Sequence, residues 1–160
     1  MNKIRRILRI VLPIALLALL ESCGISRSIR NRPDISAYNA QIPPRIQTSD
    51  SSFTLGSNSL AKNQQGQWEL YVSGDPLEIG LVTGALTQEL FQYQEAIFLS
   101  KVEQLVPSKI KRSLLKKFLA WYNRKMYLNI PEEYKAEIVG LSRYASDNYN
   151  DIAEPYLRVL

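Results

Sequence analysis

The apolar positions change their period along this chain, and each change predicts an element. Residues 10–20 form an apolar run behind the basic residues Lys3, Arg5, Arg6 and Arg9. From residue 24 to residue 50 no period of 2 or 3.6 persists. Arg27, Arg30, Arg32 and Arg45 are spaced by Pro33, Pro43, Pro44 and many small polar residues, which reads as a flexible tether with too little apolar surface to offset its ordering entropy. Residues 53–55 form a short edge strand. Residues 59–63 and 67–73 then predict a β-hairpin around Gln64, Gln65 and Gly66, the glycine supplying a positive φ. In the second of these strands Trp68, Leu70 and Val72 alternate with Glu69, Tyr71 and Ser73, the period of a half-buried strand.

Gly74 breaks that strand and the period lengthens to 3.6. Asp75 is placed to cap a helix, Pro76 suits its first position, and Glu78 can close a capping box. The helix is predicted from Pro76 to about Val106, before Pro107, with Ile79, Val82, Leu86, Leu90, Tyr93 and Ile97 as its apolar stripe. Gly80 and Gly84 lie one turn apart, a bare face that another backbone can approach closely. A second helix, capped by Ser108, carries Ile110, Leu114, Phe118, Tyr122 and Met126, widened by Leu115 and Leu119. Its Lys109, Arg112 and Lys116 share a face, read as the solvated side that keeps the helix soluble. A third helix begins at Pro131, with Glu132 and Glu133 favoured by the dipole of its first turn. Tyr134, Ile138 and Leu141 form its expected buried side, and Gly140 its weak point. The expected class is therefore α+β: a mostly helical unit of about three helices plus an N-terminal β-hairpin.

Composition narrows the function. With 46% apolar and 22% charged residues, the chain is an ordinary globular one. Its formal charge of +5 is uneven. Beyond residue 50 the basic and acidic residues balance, which argues against nucleic acid as a partner. There is one cysteine, Cys23, and no histidine. A Ser-His-Asp or Cys-His catalytic set cannot be built, and neither can a zinc site of the usual ligands. Residues 147–151 (DNYND) resemble a calcium loop, but Tyr149 stands where an oxygen ligand is needed and Ile152 where glycine is needed. No residue pattern calls for a cofactor or a metal.

The first 22 residues read as an export leader: a basic start, a short apolar run and the polar end Glu21, Ser22 before Cys23. That run is short for spanning a bilayer. Leu20, Glu21, Ser22 and Cys23 resemble a bacterial lipobox, with Glu21 where a small residue is usual. Cys23 is the expected lipidation site, and two or more acyl chains on it would hold the protein stably to a membrane. Gly24, Ile25 and Ser26 carry no acid, which in similar lipoproteins favours the outer membrane, facing the periplasm. The chain thus divides into a leader at 1–22, the lipidated cysteine and tether at 23–50, and a folded segment at 51–160.

The run GDPLEIGLVTGALTQEL (residues 74–90) resembles the opening glycine, proline, glutamate, glycine, glycine pattern of a known family. This is the acyl-coenzyme A:6-aminopenicillanic acid acyltransferase-like branch of the N-terminal nucleophile hydrolases. SLAKNQQGQWELY before it agrees in order with the family, as do QEAIF, LLKKFLAWYNRKM and IPEEYKAEIVGLSRYA after it. The resemblance covers roughly residues 59–160 and rests on Gly74, Asp75, Pro76, Glu78, Gly80 and Gly84 as structural motif residues. It implies a layered αββα fold, of which this chain is the pro-segment or small-subunit-like part, and acyl transfer to or from nitrogen at linear amides. The family's nucleophile is a cysteine freed as a new N-terminus by self-cleavage, downstream of all these motifs. It is expected in a C-terminal catalytic part beyond Leu160, and a small-molecule amide substrate is expected only for a full-length form. This chain carries no catalytic residue of its own. The alternative expectation is a non-catalytic envelope lipoprotein that holds a partner through its helix stripes.

Overall fold

A computed structural model describes residues 32–123 and 125–160. The leader and Cys23, with the lipidation expected of it, lie outside the described residues. The fold is α+β. Four strands, β1 (Ile46–Ser49), β2 (Ser52–Leu55), β3 (Asn58–Lys62) and β4 (Trp68–Tyr71), form an antiparallel meander in sequence order. Helices α1 (Pro76–Leu105), α2 (Lys109–Tyr122), α3 (Glu132–Ser142) and the short α4 (Pro155–Val159) follow, with single 3₁₀ turns at Met126–Asn129 and Asp147–Tyr149.

The expected hairpin is present as β3 and β4, in the register Leu60 to Leu70 and Lys62 to Trp68. Gly66 takes a φ of 79°, and the Asn63 side chain accepts from the backbone N–H groups of Gln65 and Gln67. The sheet is larger than a hairpin, because β2 is longer than its three expected residues and β1 arises within the stretch read as tether. All four β1 residues are exposed and only Ile46 is apolar, so β1 is held by its backbone ladder and leaves no alternating pattern to read. One sheet face carries Leu55 and Leu60, with Phe53, Trp68 and Val72 beside them, and packs on Val82, Ala85 and Leu86 of α1. Among the described residues, the stretch ahead of β1 is also engaged. Ile35, Tyr38 and Ile42 pack on a second cluster formed by Leu77 and Leu81 of α1 and Ala136 of α3.

The N-terminal half of α1 is therefore covered on two sides, by the sheet and by α3. Its buried residues run Leu77, Gly80, Leu81, Val82, Gly84, Ala85 and Leu86, a wider face than the single stripe that the sequence predicts. Val82 and Leu86 of that stripe are buried and Leu90 packs against the core, whereas Tyr93 and Ile97 are exposed because the sheet ends before α1 does. In α3 the expected buried side is corrected. Tyr134 is exposed, and the buried residues are Lys135, Ala136, Gly140 and Ser142. Lys135 is tolerated there because its Nζ donates to Glu132 at 2.6 Å and lies 5.9 Å from the Tyr127 ring centroid.

Candidate functional site

The motif residues Gly74 to Gly84 lie at the junction of sheet and helix, and most of them are explained by packing. The link from β4 into α1 is fixed by Asn58, a buried polar residue that sequence reading passed over. Its Oδ1 accepts from the Ser73 N–H at 2.7 Å, and its Nδ2 donates to the Leu55 carbonyl at 3.2 Å. Gly74 takes a φ of 147°, which favours glycine, and a Cβ there would lie 2.6 Å from the Glu78 carboxylate. Pro76 stands at the helix start as expected. The capping box does not form. Asp75 has extended backbone and makes no side-chain cap bond, and Glu78 instead folds back over Gly74.

The bare face of Gly80 and Gly84 does receive close neighbours, but they belong to this chain and not to a missing part. A Cβ on Gly80 would lie 2.0 Å from the Glu137 carbonyl oxygen, and one on Gly84 would lie 2.3 Å from the Tyr144 ring. Gly140, expected as a weak point, is the reciprocal contact: its Cβ would lie 2.6 Å from the Leu77 carbonyl oxygen and the Leu81 nitrogen. Here α1 and α3 meet backbone to backbone. Beside this contact is a shallow apolar recess lined by Ile79, Thr83, Tyr134, Glu137, Ile138 and Leu141. Glu137 is its only acid, and desolvation first, then the nearby Glu133 charge, raises its pKa above the ordinary carboxylate value.

Two polar clusters fasten the body. Arg45 donates to both Glu89 carboxylate oxygens at 2.8 and 2.9 Å and to the Ala85 carbonyl, and sits 4.0 Å from the Phe53 ring centroid. Those bonds lower the Glu89 pKa. The second cluster is more enclosed. Glu95 of α1 accepts from Arg158 Nε at 3.1 Å and from the Ser146 N–H at 2.9 Å, and Arg158 also donates to Ser146, Asn150 and Ala153. The two side chains are only 11% and 8% exposed. Each residue of the pair looks like an ordinary surface charge in the sequence, 63 positions from its partner.

Neither cluster is arranged for chemistry. Every acid in them is held by a cation or a backbone amide. Among the described residues no group of three His, Cys, Asp or Glu side chains could hold a metal ion, and no helix is long and apolar enough to cross a membrane. Within residues 147–151, Asp147–Tyr149 form a 3₁₀ turn, and Asn150 after it bonds Asp147 and Arg158.

The least explained surface is α2. Ser108 caps it as expected, its Oγ accepting from the Lys111 N–H, but the helix has no buried residue at all. Its orientation also departs from expectation. Arg112 and Lys116, on the face read as solvated, turn toward the body: Arg112 pairs with Glu103 and donates to the Val106 and Pro107 carbonyls, and Lys116 donates to the Asp151 carbonyl. The apolar arc is left outside. Comparison with protein-family models, with curated proteins and with solved structures finds no match for this chain.

Proposed function

We propose that the chain is the non-catalytic N-terminal part of a cell-envelope lipoprotein. In this reading it is anchored by lipid on Cys23 at the outer membrane, and it supports a cysteine-type N-terminal nucleophile amidohydrolase or acyltransferase part of the same protein. The resemblance around residues 74–90 supplies the reaction class, acyl transfer to or from nitrogen at linear amides, and the layered αββα fold. One observation in the structure supports it most. The C-terminal half of α1 runs past the sheet and presents Tyr93, Ile97, Phe98 and Leu105 to solvent, Leu105 being 74% exposed, which is apolar surface that a further layer would cover.

A second reading is favoured by the glycine contact. Because α3 closes the Gly80 and Gly84 face from within the chain, the body has its own two-sided core and can serve as a self-contained envelope binding module.

Both readings place lipid on Cys23, and only the first requires the chain to act through another part. In cells, Cys23→Ala is expected to move the protein from the detergent phase to the aqueous phase and to remove the mobility shift of the acylated form. The purified chain is expected to turn over no member of a panel of acyl amides. An unchanged membrane fraction would overturn the anchor, and turnover that survives Cys23→Ala would overturn the non-catalytic role.

A further inference from the structure

Helix α2 is turned inside out relative to the surface helix of a soluble protein. Successive residues rotate by about 100°, so Arg112 and Lys116 share one side and Ile110, Leu114, Phe118 and Trp121 share the other. The first side is tied to the body at Glu103, Val106, Pro107 and Asp151. The second therefore points away from the protein, and Ile110 is 76% and Phe118 54% exposed. Phe118 stacks with Tyr122 and lies against Trp121, each pair with centroids 6.1 Å apart, so the outward face ends in an aromatic cluster. A solvated helix would bury this arc and show its charges.

The charge around the arc identifies what covers it. From Lys109 to Tyr122 there are five cations and no acid, although the folded segment as a whole is balanced. Two of the five are used to hold the helix. Lys109 shares their side, and Lys111 and Lys117 flank the apolar arc, exposed and with no ion pair among the described residues. An apolar and aromatic arc bordered by unpaired lysines on long apolar stems is the pattern that seats a helix in the plane of an anionic bilayer. We propose that α2 lies in the surface of an anionic phospholipid bilayer, with Ile110, Leu114, Phe118 and Trp121 in the acyl boundary and Lys111 and Lys117 at the phosphates. This inference is independent of lipid on Cys23, which would bring a bilayer near without engaging α2.

The test uses the full chain with Trp68→Phe, leaving Trp121 as the one tryptophan of two, reconstituted into vesicles that carry acyl-chain-brominated lipid. In phosphatidylglycerol-rich vesicles the Trp121 emission should shift to the blue and be quenched at least about twofold more than in phosphatidylcholine vesicles. High salt should reverse the difference. Replacing Lys111 and Lys117 together with Gln should remove it, since two cations are worth roughly thirtyfold in partition at an anionic surface. Phe118→Glu and, separately, Leu114→Glu should abolish the quenching with circular dichroism unchanged, because neither side chain is buried. Unquenched Trp121 in anionic vesicles would overturn the proposal, as would equal quenching in the neutral ones. Protection of Trp121 that rises with protein concentration alongside a dimeric mass would also overturn it, assigning the face to a second copy.

Discussion

Gly80→Ala is expected to destabilise the fold by about 1–3 kcal/mol, even though alanine is the better helix former. In an exposed helix interior the replacement would gain up to about 1 kcal/mol. Here the new Cβ would meet the Glu137 carbonyl oxygen at 2.0 Å, the Glu137 carbonyl carbon at 2.7 Å and its Cα at 2.9 Å. These are backbone atoms of a helix whose own Gly140 is seated equally closely on Leu77 and Leu81, so α3 cannot yield by moving a side chain. It must shift as a body, and overpacking of that kind typically costs about 1–3 kcal/mol. Gly84→Ala should cost less, because its clash is with the Tyr144 ring, a side chain that can rotate. Thermal unfolding checks both. A midpoint for Gly80→Ala roughly 4–10 °C below the parent is expected, with Gly84→Ala between them. A Gly80→Ala midpoint above the parent would mean that the two helices are not in backbone contact.

Arg158→Ala should be the most damaging single change on the C-terminal side, at about 3–5 kcal/mol. Removing the guanidinium leaves the Glu95 carboxylate, 11% exposed, with the Ser146 amide as its one partner among the described residues, and it takes the Arg158 donors from the Ser146 and Ala153 carbonyls. Most of this cost is the penalty of the stranded charge rather than the worth of the pair. Replacing Glu95 and Arg158 together by leucine should therefore recover a large part of it. Urea unfolding of the single and double variants separates the terms. A single variant within about 0.5 kcal/mol of the parent would show that the C-terminal segment does not hold the α1 charge in solution.

Elements that punctuate themselves were legible from residues alone. Pro76 after Gly74, the Ser108 cap and the turn with Gly66 at positive φ each name their own backbone conformation, and each is present in the fold. What failed to show was anything decided by a distant partner. Strand β1 pairs through backbone groups that every residue carries, so its exposed side chains leave no trace. Asn58 is equally silent, because its side chain acts on Ser73, 15 residues further along the chain. Glycines at 80 and 84 announce close approach, but only the fold tells what arrives, the Glu137 backbone at 80 and the Tyr144 ring at 84. For α2 the periodicity separates an apolar arc from a basic one without saying which faces inward. Glu103 and the Asp151 carbonyl decide that, and they decide it against the usual arrangement.

The central claim is that this segment serves a catalytic part while lacking a nucleophile of its own. Purifying the protein from native membranes in mild detergent, then sequencing every N-terminus in the sample, tests this most directly. The account predicts two: an acylated Cys23 at the head of this chain, and a companion polypeptide of the same reading frame that begins with an unmodified cysteine and hydrolyses acyl amides in the purified sample. Recovery of this chain alone, with Cys23 its single N-terminus and no amide turnover in the preparation, would contradict it and leave the self-contained binding module.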